Sequence, residues 1–108
     1  MSKTSKEKTK FYYGNKIDSQ GRIALGKMFD AEKYHKAVVY VDESDMNKIY
    51  VVPYLGLEEI PEYALKTVDM KGRVNLPKAL RRNATGALIG KGAGTELTLW
   101  LQFDMPNK

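Results

Sequence analysis

The sequence predicts a mostly β protein with short helices, built from two copies of one structural unit. Residues 16–25 return 51 positions later as residues 67–76, and both copies carry Asp, two further residues and then Gly-Arg. An internal repeat of this kind indicates a duplicated supersecondary unit. After each Gly-Arg pair, apolar residues alternate with other side chains, which is the two-residue period of a half-buried strand.

The repeated motif predicts a tight β-hairpin in each copy. Asp18 and Asp69 open the two turns, because an Asp carboxylate can accept the backbone N–H two residues on. The glycines of the motif, Gly21 and Gly72, supply the positive φ that other residues resist. The arginine that follows each glycine is expected at the surface, at the mouth of the turn. We therefore interpret the two aspartates as structural turn residues and not as catalytic carboxylates.

The first unit is expected to span residues 11–53. Residues 1–10 are rich in Ser, Thr and Lys and predict a disordered basic tail. A strand begins at Phe11, and the apolar spacing within residues 26–36 predicts a short helix. Residues 37–41 and 48–52 are β-branched and aromatic, so they predict a second hairpin.

The second unit is expected to span residues 64–105, after a connector at 54–63 that contains Gly, Pro and three glutamates. Its plan repeats that of the first unit. Pro77 is predicted at the first position of a short helix that continues over residues 78–83, because a missing N–H costs nothing there. Residues 86–90 and 95–103 predict a closing hairpin around a glycine-rich turn.

Composition restricts the classes of function. The 108 residues include no cysteine and no apolar run of transmembrane length, so they predict one soluble cytoplasmic domain without disulfides, thiolate chemistry or a membrane partner. The net charge is +5, divided as +3 over residues 1–10, −3 over 11–63 and +5 over 64–108. Such asymmetry indicates a polyanion partner, most often nucleic acid, with a merely solvated basic face as the alternative.

Signals for an enzyme are weak in this chain. His35 is the only histidine, so no metal-ligand set or nucleophile–base pair is evident. The glycine-rich residues 90–94 lack the Lys-Ser/Thr end and the long helix of a phosphate-binding loop. We expect no catalytic residues, no metal, no cofactor and no small-molecule substrate.

A family resemblance extends this interpretation. Residues 68–82 read Val-Asp-x-x-Gly-Arg-Val-x-Leu-Pro-Lys-x-Leu-Arg-Arg. This run resembles the AbrB/SpoVT family of swapped-hairpin DNA-binding domains, and two tandem copies are similar to the arrangement in MraZ-type regulators. The resemblance implies that the hairpins of two units interleave into one β-barrel with the short helices outside. It also implies a nucleoid-associated transcriptional regulator that binds duplex DNA through a basic face.

The resemblance also implies the DNA-binding residues. Lysines neutralise phosphates, whereas the fork of an arginine can also read base edges. The first unit has Gly26 in place of Pro77 and Asp30-Ala31 in place of Arg81-Arg82, so the second unit is expected to dominate. Asn75 and Asn83 are expected near the same face as polar contacts. The candidate contacts are Lys66, Arg73, Lys78, Arg81 and Arg82 in the second unit and Lys16, Arg22 and Lys27 in the first.

Two other functions stay open at this level. MazE-like antitoxins of toxin–antitoxin pairs share the implied fold, although they follow a single unit with a long acidic tail that has no counterpart here. A protein-interaction module on the same fold is favoured by the acidic first unit. The sequence also leaves open whether the units pair within one chain or between chains, and hence whether a homodimer or higher oligomer forms.

Overall fold

The computed structural model describes residues 10–91 and 94–103, with the side chains from residue 14 onward. It confirms the mostly β class. The helical parts of the described chain are short: one four-residue α-helix and single 3-10 turns at Gly26–Met28 and Glu62–Ala64. The elements are β1 (Lys10–Lys16), β2 (Arg22–Ala24), β3 (Lys36–Asp42), β4 (Asp45–Pro53), β5 (Leu65–Thr67), β6 (Arg73–Asn75), α1 (Lys78–Arg81), β7 (Gly86–Lys91) and β8 (Leu97–Gln102).

The strands form two antiparallel sheets. Six strands make one sheet in the order β1-β7-β8-β4-β3-β5, and β2 pairs with β6 in a separate two-stranded sheet, called the ribbon below. Some neighbouring strands are distant in sequence, since β1 pairs with β7 and β5 pairs with β3. Strands of each half of the chain are therefore joined to strands of the other half by backbone hydrogen bonds.

One apolar core lies between the six-stranded sheet and the ribbon. Strand residues alternate between buried and partly exposed positions: in β3, Ala37 and Val39 are buried and Val38 between them is partly exposed. The ribbon contributes Ile23 and Val74 to the same cluster. Full burial of each large aliphatic side chain contributes roughly 1.5–3 kcal/mol. The largest fully buried side chains are Ile23, Leu25, Ile49, Val51, Val74, Leu76, Ile89, Leu97 and Leu99.

The strand register is symmetric under exchange of the two copies of the motif. Ile23 pairs with Val74 at the centre of the ribbon, and these two residues occupy equivalent positions of the repeat. The N–H of Leu25 donates to the Gly72 carbonyl at 2.8 Å, and the N–H of Leu76 donates to the Gly21 carbonyl at the same distance. These reciprocal bonds join each turn to the strand end of the other copy.

The helical segments are shorter than the sequence predicts. Over residues 26–36 the one helical segment is the Gly26–Met28 turn, because Phe29 is extended. The Asp30 carbonyl then opens a separate turn by accepting the N–H of Tyr34 at 2.9 Å. The helix expected over residues 78–83 ends at Arg81, since Arg82 has a φ of +50°. Pro77 caps this helix from the position before its first residue, and not from within it.

Some expectations concern residues at the ends and in the closing turn. The predicted tail lies outside the described residues apart from Lys10, which is the first residue of β1. Residues 92 and 93 of the glycine-rich turn also lie outside them. Over the described part of the chain, no helix is long and apolar enough to cross a membrane.

Candidate nucleic-acid interface

Two aspartates organise the turns that lead into the ribbon. In the first turn, Asp18 Oδ1 accepts the backbone N–H groups of Gln20 and Arg22, both at 2.9 Å, and Oδ2 accepts Arg22 Nε at 3.0 Å. Asp69 binds the second turn and Arg73 in the same way, with an Nε–Oδ2 distance of 2.7 Å. The backbone N–H of the following arginine is the main reason that the pKa of each carboxyl group lies below its usual range.

Glycine completes both turns. Gly21 has a φ of +83° and Gly72 a φ of +78°, a conformation that side chains with a Cβ rarely adopt. Each glycine N–H donates to the carbonyl of the turn's aspartate at 2.9 Å. Each arginine therefore follows a tight turn that is closed by local hydrogen bonds.

The outer face of the ribbon presents both of these arginines. Because Ile23 and Val74 point into the core, their strand neighbours point outward. Arg22 lies opposite Asn75, and Arg73 lies opposite Ala24. The two arginines are thus diagonal neighbours, with backbones about 7–8 Å apart.

Each arginine of the ribbon is oriented by its ion pair. Nε is bound to an aspartate, and both partners are about one-third exposed. No hydrogen bond of the Nη groups is seen among the described residues, so these groups can donate to an outside acceptor. Each Asp–Arg pair carries no net formal charge, which favours directional recognition of acceptors over attraction of phosphates.

Arg81 borders the first turn of the ribbon. Its Nε donates to the Leu76 carbonyl at 2.9 Å. Its guanidinium lies against Gly21, where a Cβ would come within 2.6 Å of Nε. No carboxylate pairs with Arg81 among the described residues, so no ion pair offsets its positive charge beside the ribbon.

Arg82 contacts a different part of the molecule. Its Nη2 donates to the Met46 carbonyl at 3.1 Å and to Asn47 Oδ1, in the turn end of the β3–β4 hairpin. The guanidinium also lies over the Phe103 ring, 5.1 Å from its centroid. The structure does not bring Arg82 together with the arginines of the ribbon.

The candidate lysines occupy several positions. Lys27 is exposed and borders a groove of about 520 Å³ beside Gly72, which it shares with Asp30 and Glu32. Lys78 is exposed on α1, and Lys16 is exposed at the end of β1. Lys66 is half-buried in a separate apolar groove of about 620 Å³ between β3 and α1. Arg81 therefore borders the first turn, whereas Lys27 near the second turn shares its groove with two carboxylates.

Lys71 is a further cation that the sequence-based selection missed. It is exposed in the second turn, where its N–H donates to Asp69 at 2.9 Å. Gln20 holds the equivalent position in the first turn. Alignment of the two copies of the motif was the signal that could have identified it.

An aromatic cluster covers the opposite, outer face of the six-stranded sheet. The Tyr40 and Tyr50 rings pair across β3 and β4 with centroids 5.2 Å apart. The Tyr50 hydroxyl donates to Asp42, and this hydrogen bond is the main cause that lowers the pKa of Asp42 to about 2 and raises the pKa of Tyr50 to about 12. Lys48 lies over the Trp100 ring at 5.6 Å. These contacts stabilise the sheet on the side away from the ribbon.

Comparison with known proteins gives no family for this chain. No protein-family model matches this chain, and no curated protein matches it. Among the described residues, no group of three or more His, Asp or Glu side chains is arranged to hold a metal ion. The site is defined by its geometry: a two-stranded ribbon with two oriented arginines, flanked by further cations.

Proposed function

We propose that this chain is a duplex-DNA-binding transcriptional regulator, and that its two units form a swapped-hairpin barrel of the AbrB/SpoVT type in the tandem arrangement of MraZ-type regulators. The observation that carries the proposal is the outer face of the ribbon. There Arg22 and Arg73 are each held by an aspartate, on the face of the ribbon opposite to the core residues Ile23 and Val74.

The exchange of partners between units supports the barrel. Strand β1 of the first unit pairs with β7 of the second, and β5 of the second pairs with β3 of the first. Ile49 pairs with Leu99 where β4 meets β8, so the long hairpins of the two units also meet side by side. Interleaved pairing of this kind is what a swapped-hairpin barrel requires, here within a single chain.

The major groove of DNA admits a two-stranded β-ribbon, and β2 and β6 form such a ribbon. Arginine Nη groups can bond guanine O6 and N7, and the Asp–Arg pairs hold those donors in place before binding, which reduces the entropy lost on docking. Arg81 and the exposed lysines at positions 16, 27, 71 and 78 then supply the positive charge that phosphates attract.

A titration of the full chain with duplex DNA over a salt series tests the proposal. If about five cations neutralise phosphates, the slope of log affinity against log salt is expected near −4 to −5. Arg73→Ala is expected to weaken binding by roughly 1–3 kcal/mol if its guanidinium reads a base edge. Lys48→Ala is the matched control, since it removes the same charge from the outer face of the sheet.

The two variants separate recognition from net charge. Equal losses for Arg73→Ala and Lys48→Ala would contradict a role for the ribbon. A folded wild-type protein that binds no duplex at low salt would overturn the regulator proposal and favour a protein-interaction module on the same fold.

A further inference from the structure

The outer face of the ribbon is not symmetric, although its backbone is. The pairing register places Arg22 opposite Asn75 in one row and Arg73 opposite Ala24 in the other. Exchange of the two copies of the motif maps Arg22 onto Arg73 but maps Ala24 onto Asn75. One row therefore offers a guanidinium and an amide, and the other offers a guanidinium and a methyl group.

The amide of Asn75 is oriented before any ligand binds. Its Nδ2 donates to the Gln20 carbonyl at 2.9 Å, across the ribbon and into the first turn. An amide nitrogen carries two hydrogens, and no other hydrogen bond of this side chain is seen among the described residues. One Nδ2 hydrogen and the Oδ1 acceptor therefore stay available. Asn75 itself is exposed, so this pair of groups faces outward beside Arg22.

Each row matches a different pattern of base edges in the major groove. Arginine prefers guanine, asparagine can bond both N6 and N7 of adenine, and an alanine methyl contacts the thymine methyl. Outward residues two apart on a strand lie about 6.6 Å from each other. Since the base-pair rise is about 3.4 Å, the two rows can address base pairs about two steps apart.

We propose that this protein recognises a non-palindromic duplex site and that Asn75 is the residue that breaks the symmetry. This inference rests on the proposed DNA-binding function. The row of Arg22 and Asn75 selects a guanine next to an adenine, and the row of Arg73 and Ala24 selects a guanine next to a thymine. A pseudo-symmetric protein thus binds its site in one orientation.

Selection of bound duplexes from a randomised library, with the full-length chain, tests this directly. Wild type is expected to enrich an asymmetric motif. Asn75→Ala gives both rows the same side chains and is expected to enrich a palindromic motif, with a roughly 5- to 150-fold loss of preference at the adenine position. Ala24→Asn is expected to give a palindrome of the other type, with adenine in both halves.

A matched control and distinct outcomes keep the inference separate from the proposed function. Gln102→Ala removes an amide from β8 in the six-stranded sheet, away from the ribbon, and is expected to leave the asymmetric motif unchanged. A palindromic wild-type motif, or an unchanged motif for Asn75→Ala in a folded variant, would overturn the inference while leaving DNA binding intact. Failure of wild type to enrich any duplex would overturn both.

Discussion

Arg81 and Arg82 are neighbours in the chain, but their guanidinium groups contact different parts of the molecule. Arg81 binds the Leu76 carbonyl and lies against Gly21, at the first turn of the ribbon. Arg82 binds the turn end of the β3–β4 hairpin and stacks on Phe103. The positive φ of Arg82 reverses the chain after α1, and this reversal separates the two side chains.

The backbone of Arg82 provides the first prediction. Its φ of +50° and ψ of −123° suit glycine at the first central position of a type II′ turn, and the Ala84 N–H closes that turn on the Arg81 carbonyl at 2.9 Å. Arg82→Ala loses the guanidinium contacts and keeps the unfavourable backbone, whereas Arg82→Gly loses the same contacts but relieves it. We expect the Gly variant to unfold about 1 kcal/mol less easily than the Ala variant in urea titrations. Equal stabilities would contradict the strain.

The second prediction compares the glycines of the two turns. Both Gly21→Ala and Gly72→Ala force a Cβ into positive φ, at a cost of about 1 kcal/mol each. At Gly72 the nearest atom would be 3.7 Å away, an ordinary contact, whereas at Gly21 the new Cβ would displace the Arg81 guanidinium. We expect Gly21→Ala to cost a further 0.5–1.5 kcal/mol or so, the value of the lost bond to Leu76.

An Arg81→Ala background checks this explanation by thermal or chemical unfolding. Without the guanidinium, the two glycine substitutions should cost the same. A difference that persists in that background would show that Arg81 is not its source.

The third prediction concerns pH. The pKa of Asp42 is lowered to about 2, so its contribution to stability is present above pH 4 and is lost as the pH falls toward 2. The pKa of Tyr50 is raised to about 12, so its contribution is present below pH 10 and is lost as the pH rises toward 12. Tyr50→Phe should therefore flatten the stability profile at both ends, as measured by the melting temperature across pH.

Tyr40→Phe is the control for that measurement. Tyr40 stacks on Tyr50 but makes no hydrogen bond to Asp42 among the described residues. It should keep the acid end of the wild-type profile. A Tyr50→Phe profile that parallels wild type below pH 4 would show that the hydroxyl does not hold the Asp42 pKa down.

The fourth prediction addresses the unequal ends of the ribbon. Arg81 has no carboxylate partner among the described residues, whereas the groove at the second turn holds two lysines, Lys27 and Lys71, and two carboxylates, Asp30 and Glu32. Phosphates are therefore attracted more strongly to the first turn than to the second. We expect Arg81→Ala to weaken duplex binding more than Lys27→Ala, and to flatten the salt slope by about one.

Lys33→Ala serves as the reference for loss of one charge, since Lys33 is exposed and lies over the Tyr34 ring. Fluorescence anisotropy at several salt concentrations measures all three variants. Equal losses for Arg81→Ala and Lys27→Ala would contradict the electrostatic asymmetry.

Much of the ribbon could be predicted from local sequence. The Asp-x-x-Gly-Arg spacing corresponds to bonds within each turn, from Asp18 to Arg22 and from Asp69 to Arg73. These bonds span two to four residues, so the residue types alone specify them. The short helix predicted over residues 26–36 was wrong beyond Met28, because Phe29 is extended and the Asp30 side chain accepts the N–H of Lys33 instead of continuing the helix.

The sequence by itself determined the repeat, the mostly β class and the two turns, because these depend on periodicity and on contacts between near neighbours. The tertiary structure decided which cations share a surface. Arg82 meets a hairpin 36 residues away in sequence, and Asn75 reaches Gln20 across 55 residues. Contacts at such separations depend on how the strands pair, so residue type and spacing do not specify them.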